Sequence, residues 1–186
     1  MKYKIWIIIL SVLLVLSLGF NGIMIGRLLR EHQGVYPDWF NPDNIVERGE
    51  VAPNFSVELL SGETFTLSEN RGAVVVLNFW ATWCGPCVDK MPGIQELHMV
   101  FEDVIFIGMN VGEETGRIQE FVEERGFTYP IGLDRNSEIH RNLYPSIGIP
   151  YTVIIDGDGL ISATSDRSGL STIEEIEAAV RAAGAR

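Results

Sequence analysis

The chain has 186 residues, of which 46% are hydrophobic and 21% are charged, and its net charge at pH 7 is −11. These proportions are typical of a globular protein with one sizeable core and argue against global disorder. From Glu50 onward, 21 acidic residues outnumber 9 basic ones, a net charge of −12 that argues against binding to nucleic acid or anionic lipid.

The first apolar segment, residues 5–25, contains no charged residue. As a helix it would span about 31 Å, close to the hydrocarbon thickness of a bilayer. We therefore predict a transmembrane signal-anchor at residues 1–26, with the folded domain on the extracytoplasmic side of the cell membrane. A cleaved signal peptide is the alternative, although no Ala-x-Ala-like site follows the segment. Residues 27–50 are predicted to be a linker and residues 51–186 the folded domain.

The folded domain is predicted to begin with a β-hairpin, because residues 55–59 and 63–67 alternate apolar and polar side chains around a Ser-Gly turn. Residues 73–80 form a continuous apolar run, which is typical of a central strand buried on both faces. Helical and extended patterns then alternate: a helix at about 86–101, a strand at 104–111 and a helix at about 114–125.

The last part of the domain contains predicted short elements and one further helix. These are an extended piece at 131–133, a short helix at 137–143, strands at 151–156 and 160–164, and a helix at about 171–183. The tight Gly-Asp-Gly connection makes the two strands antiparallel. Ser171 and Glu174 have the spacing of a capping box. The pattern predicts an α/β fold with a mixed sheet and helices on both faces.

The only two cysteines, Cys84 and Cys87, lie where the central strand gives way to a helix. A structural zinc site needs four ligands, and no further cysteine is present. A structural disulfide between them would close too short a loop to constrain the unfolded chain much. A redox-active dithiol is therefore favoured. The helix start favours a thiolate at Cys84, which makes Cys84 the nucleophile and Cys87 the resolving thiol.

The segment 77–87, Leu-Asn-Phe-Trp-Ala-Thr-Trp-Cys-Gly-Pro-Cys, resembles the thioredoxin superfamily, and most closely its membrane-anchored TlpA/ResA group. Residues 52–55, 110–113 and 148–156 support the same resemblance, which covers residues 50 to about 180. It implies a thioredoxin-like fold and a thiol-disulfide oxidoreductase with no cofactor and no metal.

The resemblance also implies roles for individual residues. Pro150 is expected to be a cis-proline facing the dithiol, with the backbone of Ile149 pairing with an extended substrate segment and Trp83 on the rim. The predicted substrate-binding residues are Trp83, Gly85, Pro86, Ile149 and Pro150. Glu113 matches a glutamate near the active site of ResA-like proteins and is the candidate catalytic group for deprotonating Cys87.

Three positions depart from the pattern of the superfamily. Asn78 replaces a buried aspartate that many thioredoxins carry, and it cannot accept a proton. Lys90 stands where some members of the group place a glutamate. Tyr151 follows the predicted cis-proline, where Thr or Ser is common, and is expected to alter which substrates fit.

The favoured function is the reduction of protein disulfides outside the cytoplasm. Gly85-Pro86 is the thioredoxin-like dipeptide, which indicates a potential near thioredoxin's value of about −270 mV rather than the roughly −120 mV of a strong oxidant. The resemblance suggests apocytochrome c as a substrate, and hence a role in cytochrome c maturation, because the haem-attachment motif is itself a C-x-x-C-H pair. An integral-membrane electron donor would be needed to reduce the protein again.

Two other functions are considered. A disulfide oxidase or isomerase would use the same scaffold at a higher potential. A Cu(I) carrier of the Sco type would use both cysteines and a histidine, for which His140 is the candidate and which is otherwise expected on a surface helix. A peroxidase of the peroxiredoxin class is disfavoured because the expected single peroxidatic cysteine is lacking.

Overall fold

The computed structural model describes residues 44–165 and 170–185. The predicted transmembrane segment and most of the predicted linker lie outside the described residues and stay predictions. Within those two ranges, no helix has both the length and the apolar character needed to cross a bilayer.

The described elements are close to those that the sequence pattern predicts. In chain order they are β1 (Ser56–Glu58), β2 (Thr64–Thr66), β3 (Val74–Trp80), α1 (Gly85–Val100), β4 (Val104–Val111), α2 (Thr115–Arg125), β5 (Ile131–Asp134), β6 (Tyr151–Ile155), β7 (Ile161–Thr164) and α3 (Ile173–Ala182). Two short helical turns lie between them, a 3₁₀ turn at Leu67–Asn70 and a π-helical turn at Ile139–Leu143.

The main sheet has the strand order β5-β4-β3-β6-β7. Strand β3 pairs in parallel with β4 and antiparallel with β6, so it lies at the centre. All seven of its residues are buried, as expected for a strand covered on both faces. The predicted hairpin is confirmed as the antiparallel pair β1 and β2.

The two faces of the sheet are covered differently. All three helices α1, α2 and α3 pack on the face that carries Val76 and Trp80. The opposite face, which carries Leu77 and Phe79, is covered by the hairpin, Tyr144 and the π-helical turn. The expectation of helices on both faces is therefore met only by short helical turns on the second face. Successive parallel crossovers from β3 to β4 to β5 advance in one direction, which places their helices on one side.

Contacts with the folded domain extend to residues before the predicted boundary at residue 51. Val46 is buried with the hairpin-side cluster. The backbone N–H of Gly49 donates to the carbonyl of Ile161 at 2.8 Å, and the N–H of Ile161 donates to the carbonyl of Glu50 at 2.8 Å. Residues 46–50, assigned to the linker, are thus held against the first residue of β7.

The predicted capping box of the last helix is wrong by one residue. Thr172, not Ser171, is the N-cap, and its side chain accepts from the N–H of Glu175 at 3.3 Å. Glu175 in turn accepts from the N–H of Thr172 at 3.0 Å. The chain offers Ser-x-x-Glu and Thr-x-x-Glu in adjacent registers, and the burial of Ile176 and Val180 fits the second.

Candidate active site

The dithiol lies directly after the central strand. Strand β3 ends at Trp80, and Cys84 is the N-cap of α1. Cys84 and Cys87 form a disulfide with a Cα–Cα distance of 5.2 Å. The N–H of Cys87 donates to the sulfur of Cys84 at 3.3 Å, so a backbone donor of the first helical turn points at this sulfur. The structure therefore has the helix-start geometry that the sequence predicts.

The two sulfurs differ in their access to solvent. Cys87 is 0% exposed and Cys84 is 6% exposed, whereas Trp83 next to it is 67% exposed. Gly85 and Pro86 are also exposed. A partner can therefore approach Cys84 past Trp83 and the Gly-Pro pair, while Cys87 is shielded.

The loop before β6 completes the site from the other side. The Ile149–Pro150 peptide bond is cis, as expected. The carbonyl oxygen of Ile149 lies 3.7 Å from the sulfur of Cys84. The fold thus brings together two segments that are 65 residues apart in the chain.

Glu113 connects the end of β4 with the segment before the cysteines. Its carboxylate accepts from the N–H of Thr82 at 2.7 Å, from the Thr82 hydroxyl at 2.6 Å and from Nδ2 of Asn110 at 2.8 Å. Arg117 forms an ion pair with it at 3.3 Å, and the Glu113 side chain is only 7% exposed. The Glu113 side chain is therefore shielded from solvent and bonded several times, and its partner Thr82 lies two residues before Cys84 in the chain.

Comparison with known proteins agrees with this geometry. The sequence model of the AhpC/TSA family matches residues 48–164. The thiol-disulfide oxidoreductase ResA of Geobacillus kaustophilus is 36% identical over 145 residues, which are 77% of this chain and 82% of that protein. The thioredoxin-like protein YneN of Bacillus subtilis is 30% identical over 81% of this chain and 84% of its own length.

The chain belongs to the AhpC/TSA family. A crystal structure of a thioredoxin-family thiol:disulfide interchange protein from Chlorobium tepidum superposes with a TM-score of 0.63 at 26% identity, covering 74% of this chain and 97% of that one. This member of the family is a thioredoxin-like thiol-disulfide oxidoreductase of the ResA type, and its redox centre is the Cys84–Cys87 pair. Within the described residues, no group of three or more His, Cys, Asp or Glu side chains could hold a metal ion.

The three departures from the superfamily pattern are accommodated in different ways. Asn78 is buried, and its Oδ1 accepts from the Thr152 hydroxyl at 3.2 Å. Lys90 donates to the carbonyl of Leu170 at 3.1 Å, and partial burial lowers the pKa of its ammonium, an effect opposed by the charge of Glu175. Asn78 therefore does not supply the carboxylate of the aspartate that many thioredoxins have. Lys90 likewise does not supply the carboxylate of the glutamate that some members of the group have.

The expectation for Tyr151 requires a correction. Tyr151 is 0% exposed and stacks on Phe79, with ring centroids 5.9 Å apart. As the first residue of β6 it points into the hairpin-side core. Its size therefore serves the packing of the core rather than the surface that meets a substrate.

The expected surface position of His140 is also wrong. It is buried, at 5% exposure, rather than on a surface helix, and it lines a groove of about 360 Å³ beside the dithiol together with Trp83, Ile147 and Ile149. Its Nε2 lies 2.9 Å from the hydroxyl of Ser146. The sequence carried no signal for this, because the π-helical turn has no regular polar pattern and the contact depends on how the turn folds back onto β3.

Proposed function

We propose that this member of the family is a membrane-anchored, extracytoplasmic reductant of protein disulfides. The observation that carries the proposal is the contrast between the two sulfurs. Cys84 lies at the helix start beside the exposed Trp83 and the carbonyl of Ile149, whereas Cys87 is completely buried. This arrangement supports attack by the first cysteine and resolution by the second.

The exchange proceeds in two balanced steps. The Cys84 thiolate attacks one sulfur of the substrate disulfide, forming a mixed disulfide while the other substrate sulfur leaves as a thiolate and takes up a proton. The Cys87 thiolate then attacks the Cys84 sulfur, which releases the second substrate sulfur as a thiolate, and this thiolate also takes up a proton. The protein becomes the Cys84–Cys87 disulfide seen in the structure. Two electrons and two protons pass from the dithiol to the substrate.

Glu113 is proposed as the group that helps deprotonate Cys87 for the second step. Its support is that the carboxylate, whose side chain is only 7% exposed, is bonded to Thr82, which lies two residues before Cys84 in the chain. Neither Asn78 nor Lys90 can take this role as a carboxylate would.

The direction of the reaction is inferred from Gly85-Pro86, the dipeptide of reducing thioredoxins. Extended chains with paired cysteines are suitable substrates, and apocytochrome c is the proposed one because its haem-attachment motif has the same C-x-x-C spacing. An integral-membrane electron donor would restore the dithiol after each turnover. The predicted anchor at residues 1–26 would keep the domain next to that donor.

Trapping tests the assignment of the nucleophile. In the full chain, Cys87→Ser should accumulate a mixed disulfide between Cys84 and its substrate, because the resolving thiol is gone. The adduct is measured by non-reducing electrophoresis and mass spectrometry, with apocytochrome c expected among the trapped proteins. Cys84→Ser is the matched control. Equal trapping by both variants would show that the nucleophile has been assigned wrongly.

The reduction potential tests the direction. Equilibration with glutathione or thioredoxin should give a value below about −200 mV, within the range of reductants. A value above about −150 mV would instead identify an oxidase or isomerase.

Membrane attachment is tested by fractionation of the full chain. The protein is expected in the membrane fraction after carbonate washing, and a protease added to intact spheroplasts should digest the domain. Release of a shortened soluble protein would favour the cleaved signal peptide, and protection from the protease would contradict the proposed topology.

A further inference from the structure

The buried imidazole of His140 has no part in the dithiol chemistry described above, yet it is built into the wall of the active-site groove. His140 is 5% exposed and Ser146, its partner, is 0% exposed. The distance from Nε2 of His140 to the Ser146 hydroxyl is 2.9 Å. A histidine buried this completely keeps its position only if its polar atoms are bonded.

The direction of this hydrogen bond follows from the next one. The Ser146 hydroxyl donates to the carbonyl of Gly148 at 2.7 Å. A hydroxyl has a single hydrogen, so Ser146 must accept from His140, and Nε2 carries the hydrogen in the neutral ring. Two successive hydrogen bonds therefore run from His140 to Ser146 and from Ser146 to the carbonyl of Gly148.

His140 is itself held on its other sides. Its backbone N–H donates to Oδ2 of Asp134 at the end of β5, at 2.9 Å. Its ring packs on Phe79 of the central strand, with centroids 5.2 Å apart. The imidazole is therefore fixed relative to the sheet, and its hydrogen bond to Ser146 restrains the segment 146–149.

Within the segment 146–149, Ser146 is buried and Ile149 packs against both core clusters, whereas the two residues between them have little packing of their own. Ile147 is 70% exposed, and a Cβ added to Gly148 would meet no atom within 4 Å. Yet the next residue, Ile149, places its carbonyl 3.7 Å from the sulfur of Cys84. The hydrogen bond to the Gly148 carbonyl thus restrains the loosely packed residues that come directly before the backbone bordering the nucleophile.

We infer that His140 is a positioning residue for thiol-disulfide exchange, acting through Ser146 to hold the Gly148–Ile149 backbone in the conformation that receives an extended peptide substrate. The inference rests on the proposed reduction of protein disulfides at Cys84. It assigns no proton transfer to His140 and no contact with the reacting sulfurs.

The test compares two substrates of the full-length chain. One is a peptide disulfide that can pair with the backbone at Ile149, and the other is 5,5′-dithiobis(2-nitrobenzoic acid), which has no peptide backbone. His140→Leu removes the N–H donor and replaces the imidazole with an apolar side chain of similar size. It should raise KM for the peptide about five- to tenfold, the effect of one lost hydrogen bond. Its rate with the small disulfide should stay within about twofold of that of the unmodified chain.

A matched variant separates positioning from general stability. His140→Gln can place an amide N–H near the position of Nε2, and it should restore most of the KM for the peptide. Ser146→Ala removes the hydroxyl that links His140 to Gly148. It provides the same test if His140→Leu does not fold. The double variant of His140→Leu with Ser146→Ala should be no worse than the poorer single variant, because both act through one link.

Each outcome decides between the hypotheses. Equal losses with the peptide and the small disulfide, or no recovery with His140→Gln, would overturn the positioning role and leave only a contribution to folding. An unchanged KM for the peptide in both His140→Leu and Ser146→Ala would overturn it as well. Failure of the unmodified reduced chain to reduce either disulfide would instead contradict the proposed function.

Discussion

At the scale of single residues, Glu113 has more hydrogen bonds than a surface carboxylate normally makes. Three donors converge on it: the N–H and hydroxyl of Thr82, and the amide of Asn110. A glutamine could accept with only one oxygen and would bring its own NH₂ against the remaining donors. Glu113 therefore combines a structural task with the proposed role at Cys87.

Glu113→Gln should lower the free energy of unfolding by about 1–3 kcal/mol, because buried donors lose their acceptor. Glu114→Gln is the matched control, since the neighbouring Glu114 is exposed and its side chain makes no capping bond. It should change the free energy of unfolding by less than about 0.5 kcal/mol. Chemical denaturation of the oxidised proteins measures both. Equal effects would mean that the Thr82 and Asn110 bonds contribute nothing to stability.

The proposed proton transfer predicts a separate effect in Glu113→Gln. Resolution of the Cys84 mixed disulfide by Cys87 should slow at neutral pH and recover as the pH rises, because hydroxide then replaces the lost acceptor. Single-turnover mixing over a range of pH values measures this step. A resolution rate that falls by the same factor at every pH would indicate a purely structural role.

At the scale of elements, side chains from neighbouring parts of the fold pack closely against strand β4 at Gly108. A Cβ at this position would lie 2.8 Å from a ring carbon of Tyr129, 2.9 Å from Cδ1 of Ile131 and 3.1 Å from Nε1 of Trp80. The glycine is therefore required by close packing between the sheet and the chain that enters β5. In contrast, Gly116 in α2 has no atom within 4 Å of an added Cβ.

Gly108→Ala should lower the free energy of unfolding by about 1–3 kcal/mol through overpacking. Gly116→Ala should leave it unchanged or raise it by up to about 1 kcal/mol, since alanine is the better helix former. Thermal and urea unfolding of the two variants provide the comparison. A similar change in both would contradict the packing at Gly108.

The free energy of unfolding is expected to depend on pH through His140 in the π-helical turn. Burial lowers the pKa of His140 from its ordinary value of 6.5 to about 4, with a smaller contribution from Arg141. Between these values the unfolded chain binds more protons, so the stabilisation is complete above about pH 6.5 and is lost as the pH falls toward 4. The expected loss between about pH 7.5 and about pH 5 is roughly 2 kcal/mol.

This loss is measured by urea unfolding of the unmodified chain and of His140→Gln, which cannot titrate. Burial also raises the pKa of Asp134, whose carboxylate accepts from the backbone of His140, but that group is common to both proteins. The difference between the two curves therefore isolates the imidazole. Parallel curves would show that the pKa of His140 is not lowered by folding.

At the scale of the whole molecule, the charge of the chain affects its encounters with substrates. The net charge of −11 attracts basic polypeptides and repels acidic ones over distances up to about the Debye length. The rate of reduction of a lysine-rich peptide disulfide should fall severalfold between low and high salt. The same peptide with glutamine in place of lysine should show little change. Equal salt dependence would exclude electrostatic attraction by the acidic surface.

Much of the architecture could be predicted from the sequence alone. The strands β3, β4, β6 and β7 and the helices α1 and α2 are indicated by local runs and periodicities of apolar residues. The Cys-Gly-Pro-Cys segment at a strand-to-helix junction likewise determined the redox chemistry. Both depend on neighbours in the chain, so no long-range information was needed.

The tertiary structure decided what depends on distant contacts. It joined Glu113 to Thr82, turned Tyr151 into the core and buried His140 against Phe79 and Ser146. It also placed all three long helices on one face of the sheet. A sequence pattern records whether a side chain is polar, but the partner that satisfies a buried polar group is supplied by another element. For that reason the dithiol was evident from the sequence, whereas the residues that hold the backbone around it were not.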